Sequence, residues 1–157
     1  MSAPDGAGVA ETPQQRATRG WAAMAEVMQC PAPPAMSPAS LGGLSAQHIF
    51  GDLWDRPGLS RRDRRLITLT ALAVLGQDRL HTPLHIRAAL ASSDLTEAEL
   101  REMAVQIAYY AGWPLATSFD AAVDTATGHD TGYEQVTALA NTPTNSAAPP
   151  PDRKEQP

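Results

Sequence analysis

Arg61, Arg62, Arg64 and Arg65 crowd the first turns of one segment, and His81 and His85 follow in the next. A histidine has an ordinary pKa of ~6.5, so it holds or yields a proton near neutrality and suits general acid–base work. Guanidinium groups at a helix N-terminus, together with its open N–H groups, make a carboxylate site. Four cations at the positive end of a helix dipole are unfavourable unless something negative compensates them. Ion pairing with Asp52, Asp55, Asp63 or an acid of a neighbouring subunit meets that need as well as a substrate does. We therefore expect most of the cluster to be structural and at least one arginine to face substrate. Arg56, just before Pro57-Gly58, competes for that role. Taken from the residues alone, His85 reads most plainly as a core histidine bonded to a carbonyl. His81 and His85 also stand at the four-residue spacing of helical metal ligands. No glutamate follows His81 as in a zincin motif, no third ligand is evident and Pro83 lies between them, so no metal is expected. Cys30 is the single cysteine. A disulfide-cycling peroxidase needs an attacking and a resolving sulfur, which this chain lacks. Cys30 is expected to be a small buried filler.

These residues must be held by helices. Apolar periodicity predicts a helix over 14–28, with Trp21, Met24, Ala25 and Met28 on one face. Pro31, Pro33, Pro34 and Pro38 then force an extended connector. Ser37 or Ser40 caps a helix running to about Trp54, with His48 on it, and Arg56-Pro57-Gly58 ends it. Ser60 caps a helix over 61–75 that is apolar almost all round after Arg65, which reads as a buried centre, and Gly76 stops it. The next helix begins near Asp78, or at Thr82 with Thr as cap and Pro83 at the first position. Thr96 and Glu99 form a capping box for 97–111, and Pro114 starts a last core helix to about 127. A short helix over 131–140 is a further expectation. No strand pattern is found. The expected fold is all-α, a bundle of about six helices over 14–140, between a disordered arm at 1–13 and a disordered Pro-rich tail at 141–157.

The chain of 157 residues is one domain's worth, and 43% hydrophobic residues suffice for a core. Aromatics at 5% make that core aliphatic. A formal charge of −5 argues against nucleic acid as main partner. A lone cysteine fits a reducing compartment. No secretory signal is seen, and LITLTALAVL is too short to span a bilayer. The expectation is a soluble cytoplasmic protein with no membrane partner.

GDLWDRPGLSRRDRRLITLTALAVLG, then LHIRAAL, then YYAGWP at 109–114, resembles the carboxymuconolactone decarboxylase family, within the alkylhydroperoxidase D-like superfamily. The resemblance covers roughly residues 40–127 and keeps the family's motif order. It implies loss of CO2 from a γ-carboxy butenolide. The electrons run through the C=C bond into the lactone carbonyl, and the substrate stabilises its own dienolate, so no cofactor is required. It also implies a homo-oligomer, trimer or hexamer, and a small carboxylate or lactone substrate.

His85 occupies the family's histidine position, which reverses the plain reading and makes it a proton donor or acceptor; an imidazolium would suit proton delivery to the α-carbon. His81 stands where family decarboxylases commonly carry a glutamate in a Glu-Leu-x-x-His context, so the proton-transfer chemistry is expected to differ. Trp54 fits the family's GDxWxRP pattern. Trp54, His48 and one or more of Arg56, Arg61, Arg62 and Arg65 are the expected substrate contacts. Tyr109, Tyr110 and Trp113 are expected to be core or subunit contacts. Two other readings stay open: a relative recruited to another enolisable substrate as an isomerase, dehydratase or cyclase, and a non-catalytic binding or assembly protein.

Overall fold

The computed structural model describes residues 10–32, 34, 36–76, 80–129, 132, 133 and 135, and these form helices joined by turns. α1 (Pro13–Met28) starts from a capping box. The Thr12 hydroxyl accepts from the Gln15 N–H at 3.2 Å, and the Gln15 side chain accepts from the Thr12 N–H at 2.9 Å. Pro13 sits at the first helical position, where its missing N–H has no bond to lose. The expected Gln14 start is thus one residue late. α1 ends at Gln29, whose left-handed φ of 51° turns the chain away. Cys30 follows that turn and is exposed, which corrects the expected buried filler.

α2 (Leu41–Ser45) begins at Ser40, whose hydroxyl accepts from the Gly43 N–H at 3.1 Å. From Ala46 the winding widens into a π-helix (Ala46–Leu53), and the Trp54 N–H donates to the Ile49 carbonyl at 2.9 Å. α1 crosses this segment closely. A Cβ on Gly20 would fall 2.0 Å from the Ala46 carbonyl oxygen, so only glycine permits the approach. Ala17, Trp21 and Ala46 form a small core there, with Met24 against it.

α3 (Arg61–Leu75) is capped by Ser60, whose hydroxyl accepts from the Asp63 N–H at 3.1 Å and donates to the Asp63 carboxylate at 2.7 Å. Gly76 closes it at φ 70°. α3 is not the enclosed centre that its composition suggests. Leu69 and Ala73 are buried, while Ile67, Val74 and Leu75 are exposed. α4, α5 and α6 pack against it and leave those three uncovered within the single chain.

α4 (His81–Ala91) starts at His81, with Leu80 before it and no side-chain cap. Thr82 is therefore inside the helix and buried rather than capping it. Pro83 falls in the first turn, where helix N–H groups have no intrahelical partner. The alternative start at Asp78 lies outside the described residues. A turn through Ser93, at φ 58°, leads to α5 (Glu97–Ala111), which has the Thr96–Glu99 capping box, and α6 (Trp113–Thr127) follows Gly112. Leu69, Ile86, Leu95, Leu100, Ile107, Phe119 and Val123 make the main core, as aliphatic as the composition implies. Arg101 ties α5 to α6 through Asp120 at 2.7 Å and Asp124 at 2.6 Å. Most of the expected 131–140 helix, and all of the tail, lie outside the described residues. Among the described residues no helix is long and apolar enough to cross a membrane.

Candidate active site

Five pieces of the chain converge on the Arg65 guanidinium: the end of α1, the end of the π-helix, α3, α4 and the turn after α4. Arg65 is 0% exposed. Its Nη1 lies 2.7 Å from His85 Nδ1, its Nε 3.3 Å from Asp94 Oδ2, and its Nη2 donates to the Val27 carbonyl at 2.5 Å. Met28 Sδ is 3.9 Å from Nη1. The guanidinium carbon sits 4.9 Å from the centroid of the half-buried Trp54 ring. A desolvated cation over an indole face gains ~2 kcal/mol.

His85 is 7% exposed. Its ring stacks on Trp54 with centroids 6.0 Å apart and planes 12° apart. The imidazole therefore meets a cation at its Nδ1 edge and an aromatic ring across its face. Burial pushes the Arg65 pKa down and the nearby Arg61 cation adds to that, while the Asp94 carboxylate opposes it. The buried charge persists because Asp94 and the Val27 carbonyl replace the water it lost.

The four arginines of α3 find four different partners, although Arg61 and Arg65, four residues apart, share one face of the helix. Arg61 pairs with Glu26 of α1 at 2.5 Å and Arg62 with Glu99 of α5 at 2.5 Å, both at the surface. Arg64 donates to the Arg56 carbonyl at 2.5 Å, and Arg65 points inward. The Arg56 side chain is exposed. His48 is exposed and lies 3.4 Å from Asp52. His81 is exposed one turn before the buried His85. The structure thus brings together Trp54, Arg65 and His85 of the expected set. Arg61 is close enough to act on Arg65, whereas His48 and Arg62 pair elsewhere.

Sequence reading misses Asp94, Val27 and Met28. Asp94 carries one usable signal, an acid directly after the helix that bears His85. Val27 contributes only its backbone, so no side-chain pattern marks it.

A cleft of about 600 Å3 opens between α3, α4 and α6, walled by Leu72, Pro83, Leu115 and Phe119, with Thr82, Ser118 and Thr125 as polar points. Among the described residues no titratable side chain lines it, and His85 is not among its walls. Among the described residues, the titratable side chains gather at the Arg65–His85 cluster rather than along this cleft. Among the described residues no group of three or more His, Cys, Asp or Glu side chains is placed to hold a metal ion.

The family model described as "Carboxymuconolactone decarboxylase family" matches residues 41–125, just over half of the chain. The match runs from the start of α2 into α6 and takes in Trp54, Arg65, His85 and Asp94. A 4-carboxymuconolactone decarboxylase of Acinetobacter baylyi is 37% identical over 74 residues, 46% of this chain and 53% of that one. A nitrosuccinic acid decarboxylase of Metarhizium robertsii is 39% identical over 72 residues, 45% of this chain and 48% of that one. The chain thus spans about half the length of the curated relatives it matches. No solved structure matches. With the motif order, the all-helical fold and the matched stretch in agreement, the chain belongs to the carboxymuconolactone decarboxylase family.

Proposed function

We propose that the protein is a cofactor-independent carboxy-lyase acting on a small lactone or carboxylate through a dienolate, with His85 supplying the proton. The observation that carries this reading is the 2.7 Å contact between Arg65 and His85 in a nearly water-free setting. CO2 loss leaves electrons delocalised into the substrate carbonyl, and a dry, cationic environment favours that spread anion over the better-hydrated carboxylate. A proton returned to carbon completes the reaction. His81 stands on the same helix, four residues from His85, in the place of the family's glutamate, and would orient the substrate or His85.

Arg65 is occupied internally, so the substrate carboxylate falls to exposed cations. Arg61 is the best placed, since its charge reaches Arg65 and its surface pair with Glu26 is of the kind worth only ~0–1 kcal/mol. An incoming carboxylate exchanges readily for such a partner. Arg56 and Arg62 are the next candidates. The exposed Ile67, Val74, Leu75, Tyr109, Tyr110 and Trp113 support a homo-oligomer, trimer or hexamer, whose second copy would wall the site.

The test is incubation with γ-carboxymuconolactone, following CO2 release in the native protein and in His85→Ala. Turnover that disappears in the variant supports the reading, and full turnover in the variant sinks it. A second reading, the same chemistry on a different enolisable acid, is favoured by His81 in the glutamate's place and by a relative whose name specifies nitrosuccinic acid. CO2 release from nitrosuccinate and none from the lactone would select it.

A further inference from the structure

We infer that Arg65 is a positioning residue that locks His85 as the neutral imidazole with its proton on Nε2. The inference rests on the reading of His85 as the proton-bearing group, and it changes the form in which that proton is held. A guanidinium has donors and no acceptor. A nitrogen 2.7 Å from Arg65 Nη1 must therefore accept, so Nδ1 of His85 carries no hydrogen. The ring's one proton is then on Nε2. An imidazolium at this place would set N–H against N–H and two cations in contact.

Arg65 is itself fixed on every side. Asp94 holds Nε, the Val27 carbonyl holds Nη2 and the guanidinium carbon lies over the Trp54 ring. These contacts and the one to His85 come from four separate pieces of chain, so the guanidinium cannot rotate to release His85 without opening the site. The cation on Nδ1 draws electron density from the ring and makes Nε2–H a stronger donor. In the decarboxylation, the bond to CO2 breaks and its electron pair enters the dienolate. Nε2–H then breaks as the new C–H bond forms, and the imidazolate left behind is neutralised by Arg65 until water returns the proton. A neutral histidine used as an electrophile has precedent in the isomerase chemistry of enediolates.

Ring nitrogen NMR on uniformly 15N-labelled protein tests this without substrate. The His85 signals are assigned among the four histidines by their loss in His85→Gln. The expected pattern at neutral pH is an unprotonated Nδ1 and a protonated Nε2. In Arg65→Met the two tautomers should mix. A native protein with a protonated Nδ1, or an unchanged tautomer in Arg65→Met, overturns the inference; if that variant does not fold, the native spectrum decides. A locked tautomer in a protein that releases no CO2 from any tested acid would reject the lyase reading and leave the lock standing. On a substrate that is turned over, Arg65→Lys should lower kcat at least tenfold with little change in KM. A KM effect alone would instead make Arg65 a substrate contact.

Discussion

Asp94 Oδ2 lies 3.3 Å from Nε of Arg65, reaching it from the turn after the helix that carries His85. The carboxylate is almost as buried as its partner, with 10% of its side chain exposed. Removing one member of such a pair strands the other charge in a low-dielectric setting, which typically costs about 3–5 kcal/mol. Asp94→Ala should therefore lower unfolding stability by about 3 kcal/mol, read as a drop in the urea midpoint at constant m-value. Loss of less than about 1 kcal/mol would mean that the pair behaves as a surface contact.

Arg61 and His81 are exposed, so their removal should touch function more than stability. If Arg61 holds the substrate carboxylate equally before and during reaction, Arg61→Ala should raise KM about tenfold and leave kcat within about twofold. His81→Ala should lower kcat about tenfold, roughly 1.4 kcal/mol of barrier. Steady-state kinetics on the accepted substrate separates the two, and identical effects would mean that neither has a distinct role.

Glu99 accepts the Thr96 backbone N–H at the start of α5 and also pairs with Arg62. These contacts, the backbone hydrogen bond foremost, bring its pKa from 4.5 down to about 2. A pKa lowered by folding contributes stability that is complete above the unfolded value and is lost as pH falls towards the folded one. Glu99→Gln should therefore flatten the acid limb of the stability curve between pH 4.5 and about 2, with little change in slope above about pH 5. Denaturant titrations across that range measure it, and an unaltered acid limb would contradict it.

Gly20 makes the close crossing of α1 and the π-helix. A Cβ at this position would stand 2.0 Å from the Ala46 carbonyl oxygen, so the two backbones must separate in Gly20→Ala. Overpacking of this kind costs about 1–3 kcal/mol, more than the helix preference for alanine returns. Thermal unfolding should show a lowered Tm, and a raised Tm would mean that the crossing is looser than described.

The helix ends are legible in the sequence because their signals are local. Thr96 with Glu99, Ser60 with Asp63, and the glycines at 76 and 112 act through bonds or dihedral angles within a few residues, and each does so in the fold. The start of α4 is misread because Thr82-Pro83 also fits inside a first turn. The burial of α3 is overstated because composition reports what a helix would bury, not what neighbours one chain supplies. The roles of the arginines are illegible for a similar reason. Arg61, Arg62, Arg64 and Arg65 are one residue type in one stretch, and only the partners brought by α1, α4 and α5 tell them apart. His85 stands out through its motif, while its dependence on Arg65 needs the fold. The π-winding leaves no trace, since so short a run cannot separate its period from that of an α-helix.

That winding has a bearing on how the site could be reshaped. A segment hydrogen-bonded five residues back needs more chain to cover a given length than an ordinary helix does. Deleting one residue between Ala46 and Leu53 would let it tighten to ordinary helical winding, and the remaining mismatch in rise and rotation would pass to Trp54 at its end. Trp54 would swing off the guanidinium while the anchoring serine at the start stayed put. A single in-frame codon loss could thus unroof the imidazole without altering any residue that touches it.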